Sequence, residues 1–76
     1  MERWEVINAV QRMQNYIHEN INSLITLRDL AKAAGYSQWH AARLFKEFTG
    51  KSPFEYIRVL RLSKAAVQLR EGNSKI

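Results

Sequence analysis

Cysteine is absent from this chain, and proline and glycine are rare, with one proline and three glycines in 76 residues. Without cysteine there can be no disulfide, no thiolate nucleophile and no cysteine-ligated metal. The lack of disulfides agrees with a reducing compartment, so we expect a cytoplasmic location. No apolar run is long enough to span a membrane. Charged side chains recur through the first 20 residues, at Glu2, Arg3, Glu5, Arg12 and Glu19, unlike in a signal peptide.

Side chains that support catalysis or metal binding are scattered along the sequence. His18 and His40 lie in different predicted helices, and no other ligand type is spaced around either of them. No Ser, His and Asp set converges, and there is no glycine-rich phosphate loop. We therefore expect no enzyme activity, no metal site and no cofactor.

Positive charge is concentrated in the later part of the chain, whose overall net charge is +5. Residues 1–26 hold two arginines against three glutamates, a net of −1, whereas residues 27–76 hold ten Lys and Arg against four Asp and Glu, a net of +6. Such a basic portion is typical of proteins that bind a polyanion, either nucleic acid or an anionic membrane surface. A basic surface that serves solubility alone is the alternative. The cations are spread over three predicted helices, which argues against a membrane partner because they do not line one amphipathic face.

The apolar pattern predicts a single small all-α domain, a bundle of about four helices. Hydrophobic residues make up 46% of the chain, which is enough for a core, and no β-type alternation or repeat competes with the helical spacing. In the first helix, residues 3–21, apolar side chains recur at steps of three and four and predict one buried stripe. The stripe consists of Trp4, Ile7, Val10, Met13, Ile17 and Ile21.

Capping residues set the bounds of the next two helices. Thr26, with Asp29 three residues later, predicts the start of the second helix, and Gly35 predicts its end. Ser37 predicts the start of the third helix, residues 38–49, and Gly50 ends it. Two helices joined by so short a connection, over about residues 27–49, are typical of a helix-turn-helix.

The fourth predicted helix, about residues 53–71, is unusually apolar. Ser52, Pro53 and Glu55 mark its start as N-cap, N1 and N3, and Gly72 follows it. A helix that is apolar nearly all round is expected to have neighbours on more than one side. We expect its exposed apolar side to drive self-association or to leave the helix frayed. The residues concerned are Leu62, Val67 and Leu69.

The third helix has two opposite faces when its residues are placed every 100° around the axis. Its apolar residues fall within an arc of about 100°, the width of a core-facing stripe. These residues are Ala41, Leu44, Phe45 and Phe48. The opposite face holds Trp39, Ala42, Arg43 and Lys46. A tryptophan on that face is poorly placed for the core and well placed to contact a partner.

A longer stretch of the sequence resembles a known family. The string ITLRDLAKAAGYSQWHAARLFKEFTGKSPFEYIRVLRLSKAAVQL is similar to the first half of the DNA-binding domain of AraC/XylS-type transcription regulators. The match runs through LAKAAGYS and RLFKEFTGKSPFEYIR into the long helix, and with the first helix it covers nearly all of residues 1–76. The resemblance implies two helix-turn-helix subdomains joined by a long linker helix. The second subdomain is expected to lie outside this chain, so we expect the chain to be a fragment of a longer bacterial regulator or a truncated product.

The resemblance implies that the third helix, residues 38–49, enters the major groove of double-stranded DNA. By position, Trp39 and Arg43 match residues that contact bases in the family, and Gln38 and Ala42 lie beside them. Arg43 can donate two parallel N–H bonds to guanine, and the apolar face of Trp39 can lie against thymine methyls or sugar edges. Ala42 allows close approach of a thymine methyl. Gln38 can reach a base or a phosphate.

Phosphate contacts are expected from side chains at the edges of this surface and from free backbone N–H groups at the start of the third helix. The side chains are Ser37, His40, Lys46 and Lys51. Each has a structural alternative: Ser37 is in any case an N-cap, His40 can pack at the surface, and the two lysines can be merely solvated. Arg43 can pair with Glu47, and Trp39 can be a satellite of the core.

The alternative function is a helical protein–protein or dimerisation module with Trp39 and Arg43 as interface anchors, because both residue types are enriched at such anchors. Salt separates the two functions. DNA binding should weaken steeply as salt rises, whereas a protein contact centred on Trp39 should depend less on it.

Overall fold

The computed structural model describes residues 3–74, with side chains described over residues 3–66. It contains α1 (Arg3–Glu19), α2 (Leu27–Ala34), α3 (Gln38–Thr49) and α4 (Pro53–Ser74), and there is no strand within residues 3–74. The predicted all-α fold of four helices is therefore confirmed. The starts of α2, α3 and α4 and the ends of α2 and α3 also lie where the capping residues predicted them.

The core is a single apolar cluster to which all four helices contribute. Its four largest side chains with almost no exposed surface are Met13, Ile17, Leu30 and Phe45. Because these come from α1, α2 and α3, burying them fixes how the three helices cross. The remaining buried apolar residues are Val6, Ala9, Val10, Ile21, Ile25, Ala31, Ala34, Ala41, Leu44 and Ile57.

The predicted stripe of α1 was wrong at its first two positions. Trp4 is 67% exposed and Ile7 is 44% exposed, while Val6 and Ala9 face the core in their place. The helix also ends at Glu19 instead of Ile21, and Ile21 is buried from the turn that follows. In its first two turns, the buried face of α1 therefore lies on a different side of the helix from the one predicted. It consists there of smaller side chains, Val6 and Ala9.

Hydrogen bonds hold the ends of α2. The Thr26 hydroxyl accepts from the Asp29 backbone N–H at 3.1 Å, and the Asp29 carboxylate accepts from the Thr26 backbone N–H at 3.0 Å, which completes the predicted capping box. At the other end Gly35 has φ of 80°, a left-handed conformation that favours glycine, and its N–H donates to the Ala31 carbonyl. The chain therefore reverses within a very short connection before α3.

Arg12 connects α1 to the end of α2 by hydrogen bonds. Arg12, on α1, donates from Nε to the Ala33 carbonyl at 3.0 Å and from Nη2 to the Ala34 carbonyl at 2.9 Å. These carbonyls lie in the last turn of α2, where backbone acceptors lack helical partners. The Arg12 side chain thus ties α1 to the turn that precedes α3.

Helix α4 starts as predicted but ends later. The Ser52 hydroxyl accepts from the Glu55 backbone N–H at 3.3 Å, and Pro53 is the first helical residue. The helix continues through Gly72 to Ser74, so the predicted end near residue 71 was wrong. A glycine after a helical pattern permits a C-cap but does not require one.

Only one side of the described part of α4 packs on the domain. Ile57 is buried, and Tyr56 and Leu60 are partly buried against the core, whereas Leu62 is 61% exposed. Arg61 donates from Nε to the Ile21 carbonyl at 3.0 Å and from Nη2 to the Ser23 carbonyl at 2.8 Å. Helix α4 is therefore fastened to the loop after α1. The side chains of Val67 and Leu69, which the sequence prediction included, lie outside the described ones.

The pKa of Asp29 gives a test of the α2 cap. The backbone N–H of Thr26 lowers this pKa below its ordinary value of 3.8, and the Thr26 hydroxyl and the charge of Lys32 lower it further. Because the folded-state pKa is the lower one, the carboxylate stabilises the fold fully above the unfolded-state pKa, and this stabilisation is lost as pH falls through the folded-state pKa.

We expect Asp29→Asn to lower the melting temperature at pH 7 and the deficit relative to the parent to shrink below about pH 4. Circular dichroism melts across this range measure the difference. Glu47→Gln removes one negative charge at an exposed site and controls for net charge. A melting-temperature deficit for Asp29→Asn that is the same at pH 7 and pH 2.5 would contradict the assignment.

Candidate nucleic-acid interface

Helix α3 has one buried and one exposed face, as the sequence predicted. Ala41, Leu44 and Phe45 are buried, whereas Trp39 is 66% exposed and Arg43 is also exposed. Phe48 was predicted to be buried but is 41% exposed, since it lies one turn beyond Phe45 at the end of the helix. Trp39 is therefore not a satellite of the core, and the interpretation of α3 as a two-sided helix is confirmed.

Trp39 and Arg43 form a stacked pair on the exposed face. The guanidinium carbon of Arg43 lies 5.2 Å from the centre of the Trp39 ring, within the range of a cation–π interaction. At an exposed site this interaction is worth about 0.5–1 kcal/mol, so it restricts both side chains without fixing them. Within the described residues Arg43 forms no hydrogen bond or ion pair, and the pairing with Glu47 is not formed. The N–H groups of Arg43 are thus available to an acceptor outside the protein.

Ser37 organises the start of α3. Its hydroxyl accepts from the His40 backbone N–H at 3.2 Å, and its carbonyl accepts from the Ala41 backbone N–H at 2.8 Å. The backbone N–H groups of Gln38 and Trp39 precede the first intrahelical bond, and within the described residues they have no acceptor. A helix start with free N–H groups is a favourable place for an anion.

Aromatic rings extend this surface toward the turn before α3. The His40 ring centre lies 5.8 Å from that of Trp39 and 5.7 Å from that of Tyr36. His40 is exposed, and Tyr36 is half-buried. The rings therefore form a row from the turn to the first turn of α3, with His40 between Tyr36 and Trp39.

The other predicted contact residues differ in position. Gln38 is exposed in the first turn of α3, Ala42 is half-buried beside Arg43, and Lys46 is exposed one turn further along. Lys51 is half-buried and lies outside the helix. It follows Gly50 in the turn before α4, where its backbone N–H donates to the Thr49 hydroxyl at 3.3 Å. Helix α3 thus brings together all the predicted contact residues except Ser37, which caps it, and Lys51, which comes after it.

Arg12 is a residue that sequence reasoning missed. Its guanidinium holds the end of α2 and with it the connection into α3, so it positions the exposed face without belonging to it. Its acceptors lie 21 and 22 residues away in the sequence. No local sequence pattern links residues so far apart, and the charge of Arg12 alone does not indicate which backbone carbonyls it binds.

Within the described residues, no three His, Cys, Asp or Glu side chains cluster so as to hold a metal ion. None of the helices described combines the length and the apolar character required to cross a bilayer.

Comparisons with known proteins agree on the kind of domain. A family model described as "Helix-turn-helix domain" matches residues 30–76. The chain is 47% identical over 55 residues to the transposon Tn10 TetD protein of Escherichia coli, covering 72% of this chain and 40% of TetD. It is 34% identical over 68 residues to the multiple antibiotic resistance protein MarA of Escherichia coli strain K12, covering 90% of this chain and 54% of MarA.

A third relative is the right origin-binding protein of Escherichia coli strain K12, which is 44% identical over 55 residues, covering 72% of this chain and 19% of that protein. The chain thus spans about half the length of MarA and less of the other two. No solved structure shows significant similarity to the chain.

Proposed function

The chain belongs to the AraC/XylS family of helix-turn-helix transcription regulators, and from this premise we propose that it binds double-stranded DNA sequence-specifically, with α3 in the major groove. The observation that carries the proposal is the exposed Trp39–Arg43 pair on the side of α3 opposite the core. An α-helix fits the major groove, where each base pair presents a distinct set of donors and acceptors. The action is bacterial transcription regulation in the cytoplasm.

Base reading rests on the residues in the first turns of α3. Arg43 presents two parallel donors to O6 and N7 of a guanine, and Trp39 presents an apolar face to a neighbouring thymine methyl or sugar. Ala42, with a single methyl group, permits close approach of the groove wall. Gln38 reaches a base or a phosphate beside them.

Phosphates on the two sides of the groove are held by residues around the base-reading surface. The free N–H groups at the start of α3 and the hydroxyl of Ser37 face one strand, and Lys46 and Lys51 bind the backbone farther along. His40, next to Trp39, contacts a phosphate at the flank. These contacts set the position of α3 and make the affinity dependent on salt.

The domain corresponds to the first of two helix-turn-helix subdomains, and α4 is the linker between them. Supporting this, α4 is 22 residues long, and over the described side chains it packs on one side only. A single recognition helix makes few base contacts, so the affinity of this chain alone is weak and falls steeply with salt.

Selection of bound duplexes from a random pool tests this function. We expect enriched duplexes to share a short motif containing a guanine, and the affinity for them to fall steeply between about 50 and 200 mM salt. Recovery of unrelated sequences bound with equal affinity would overturn sequence-specific reading.

The alternative function, a protein–protein module anchored by Trp39 and Arg43, is favoured by the exposure of Trp39. It predicts binding that depends little on salt and does not discriminate between duplexes. The cations and free N–H groups beside Trp39 argue for DNA, because a protein partner for this surface would have to be strongly acidic.

We also propose self-association through the exposed apolar side of α4. Leu62 is 61% exposed and Val59 is 44% exposed, and they lie three residues apart on the side away from Ile57. We expect sedimentation equilibrium to show a mass that rises with concentration, and Leu62→Glu to restore a monomer. Lys64→Glu makes a charge change two residues away and serves as the control. A monomeric mass at millimolar concentration would contradict the proposal.

A further inference from the structure

A groove separates the loop after α1 from the middle of α4. It has a volume of about 540 Å³ and is open to solvent. We call it the loop groove, and its lining includes Ile21, Leu24, Arg61, Lys64 and Ala65. None of these residues belongs to α3, so the groove is separate from the proposed DNA-binding surface.

The exposed apolar part of the lining of the loop groove, which we call its apolar wall, consists of Leu24 from the loop and Ala65 from α4. Leu24 is 86% exposed although its neighbour Ile25 is only 5% exposed, and Ala65 on α4 is exposed as well. A leucine this exposed gains nothing from the fold, and water leaves it when an apolar side chain packs on it. The wall therefore suits an apolar side chain from a partner.

The cationic part of the lining lies on α4 and is partly immobilised. Arg61 donates hydrogen bonds from Nε to the Ile21 carbonyl and from Nη2 to the Ser23 carbonyl. These bonds hold its guanidinium at the edge of the groove. Lys64 lies three residues along α4, is exposed, and has no partner within the described residues. No acidic residue is part of the described lining. The groove is thus complementary to a ligand with negative charge next to an apolar group.

We propose that the loop groove binds an acidic peptide segment of another protein. A leucine-sized side chain of the segment packs on Leu24 and Ala65, and its carboxylates face Arg61 and Lys64. A phosphate backbone satisfies the cations but leaves Leu24 in water, so the apolar wall favours a peptide over a nucleic acid. The inference does not depend on DNA binding by α3.

Titration of the ¹⁵N-labelled 76-residue chain, followed by NMR, tests the proposal. The probe is a short amidated peptide of glutamates around a central pair of leucines. Two further probes replace its glutamates by glutamine or its leucines by serine. We expect amide shifts at Leu24, Arg61 and Lys64 with the first probe, little change in α3, and at least about tenfold weaker binding of both altered probes.

Variants of the chain locate the binding site. We expect Lys64→Glu and Leu24→Ser each to lower the affinity for the first probe by at least about tenfold. The first removes a cation that faces the carboxylates, and the second removes the apolar side chain that packs on the leucines. The matched controls are Arg3→Glu, an equal charge change at the far end of α1, and Trp4→Ser, which removes an exposed apolar side chain there. Both controls should bind the probe as the parent does.

Three outcomes would overturn the proposal. In the first, the glutamine probe binds as well as the glutamate probe, or no probe shifts the amide signals of the groove residues. In the second, Lys64→Glu weakens binding of a DNA duplex while peptide binding is undetectable, which assigns the cations to phosphate. In the third, Leu24→Ser abolishes self-association seen without any peptide, which makes a second copy of the chain the occupant. Duplex binding measured in parallel keeps these results distinct from a failure of the α3 proposal.

Discussion

Replacing Phe45 by alanine is expected to lower the free energy of unfolding by about 3–5 kcal/mol, because a buried aromatic is lost and a cavity remains. Phe45 has no exposed surface, and its ring meets that of Tyr56 edge to face, with centres 5.2 Å apart. A domain of this size has a total stability of roughly 4–11 kcal/mol. The substitution therefore removes a large part of the stability, and a population of unfolded chains is expected at 37 °C.

Phe48 provides the matched control for this prediction. It is the same residue type on the same helix but is 41% exposed, so Phe48→Ala should cost much less than Phe45→Ala. Urea unfolding followed by circular dichroism gives both free energies. Equal losses for the two variants would show that the core is not centred on Phe45.

Arg43→Ala is expected to reduce the affinity for the preferred duplex by about 5- to 150-fold, the equivalent of 1–3 kcal/mol for one bidentate base contact. The same substitution should reduce the affinity for duplexes altered at the contacted guanine much less, so base preference relaxes at that position. Arg43 is exposed, and among the described residues it forms no hydrogen bond or ion pair and stacks on the Trp39 ring, so the fold should persist. Fluorescence anisotropy with a panel of single-base variants measures both effects.

Two further variants separate base reading from charge. Arg43→Lys keeps the positive charge but loses the planar pair of donors, so it should relax base preference nearly as much as alanine does. Lys46→Ala should weaken all duplexes alike and reduce the slope of log affinity against log salt by about one. If Arg43→Ala lowers affinity equally for every duplex, then Arg43 contacts phosphate and does not read a base.

The buried face of α3 could be predicted from sequence except at Phe48, whereas that of α1 was predicted wrongly at Trp4 and Ile7. In α3 the apolar residues recur at mixed steps of three and four, which hold one direction around the axis. In α1 the chosen series ran from Trp4 through Ile7 and Val10 to Met13 in steps of three. Each such step falls about 60° short of a full turn, so three of them move the stripe by about 180°. The series thus began on the exposed side.

The ends of helices were predicted where side chains decide them locally. Thr26, Ser37 and Ser52 cap the backbone within three residues, so the sequence contains the whole interaction. The fastenings by Arg12 and Arg61 join residues 21 to 40 positions apart and depend on how the helices pack. Likewise, the stacking of Arg43 on Trp39 and the absence of a pair with Glu47 depend on a choice of rotamers that spacing alone does not give.

Arg61 attaches α4 to the loop after α1 by two hydrogen bonds, so a tilt of α4 about this point moves the far end of the helix. About 20 Å of helix extends beyond Arg61 to Ser74, so a tilt of 10° at that anchor displaces the far end by roughly 3.4 Å, one base-pair rise along DNA. Anything carried by that end would change its register on a duplex by a whole step. In the proposed linker role of α4, Arg61, a side chain outside both helices of the helix-turn-helix, would therefore help to set how far that end lies from α3.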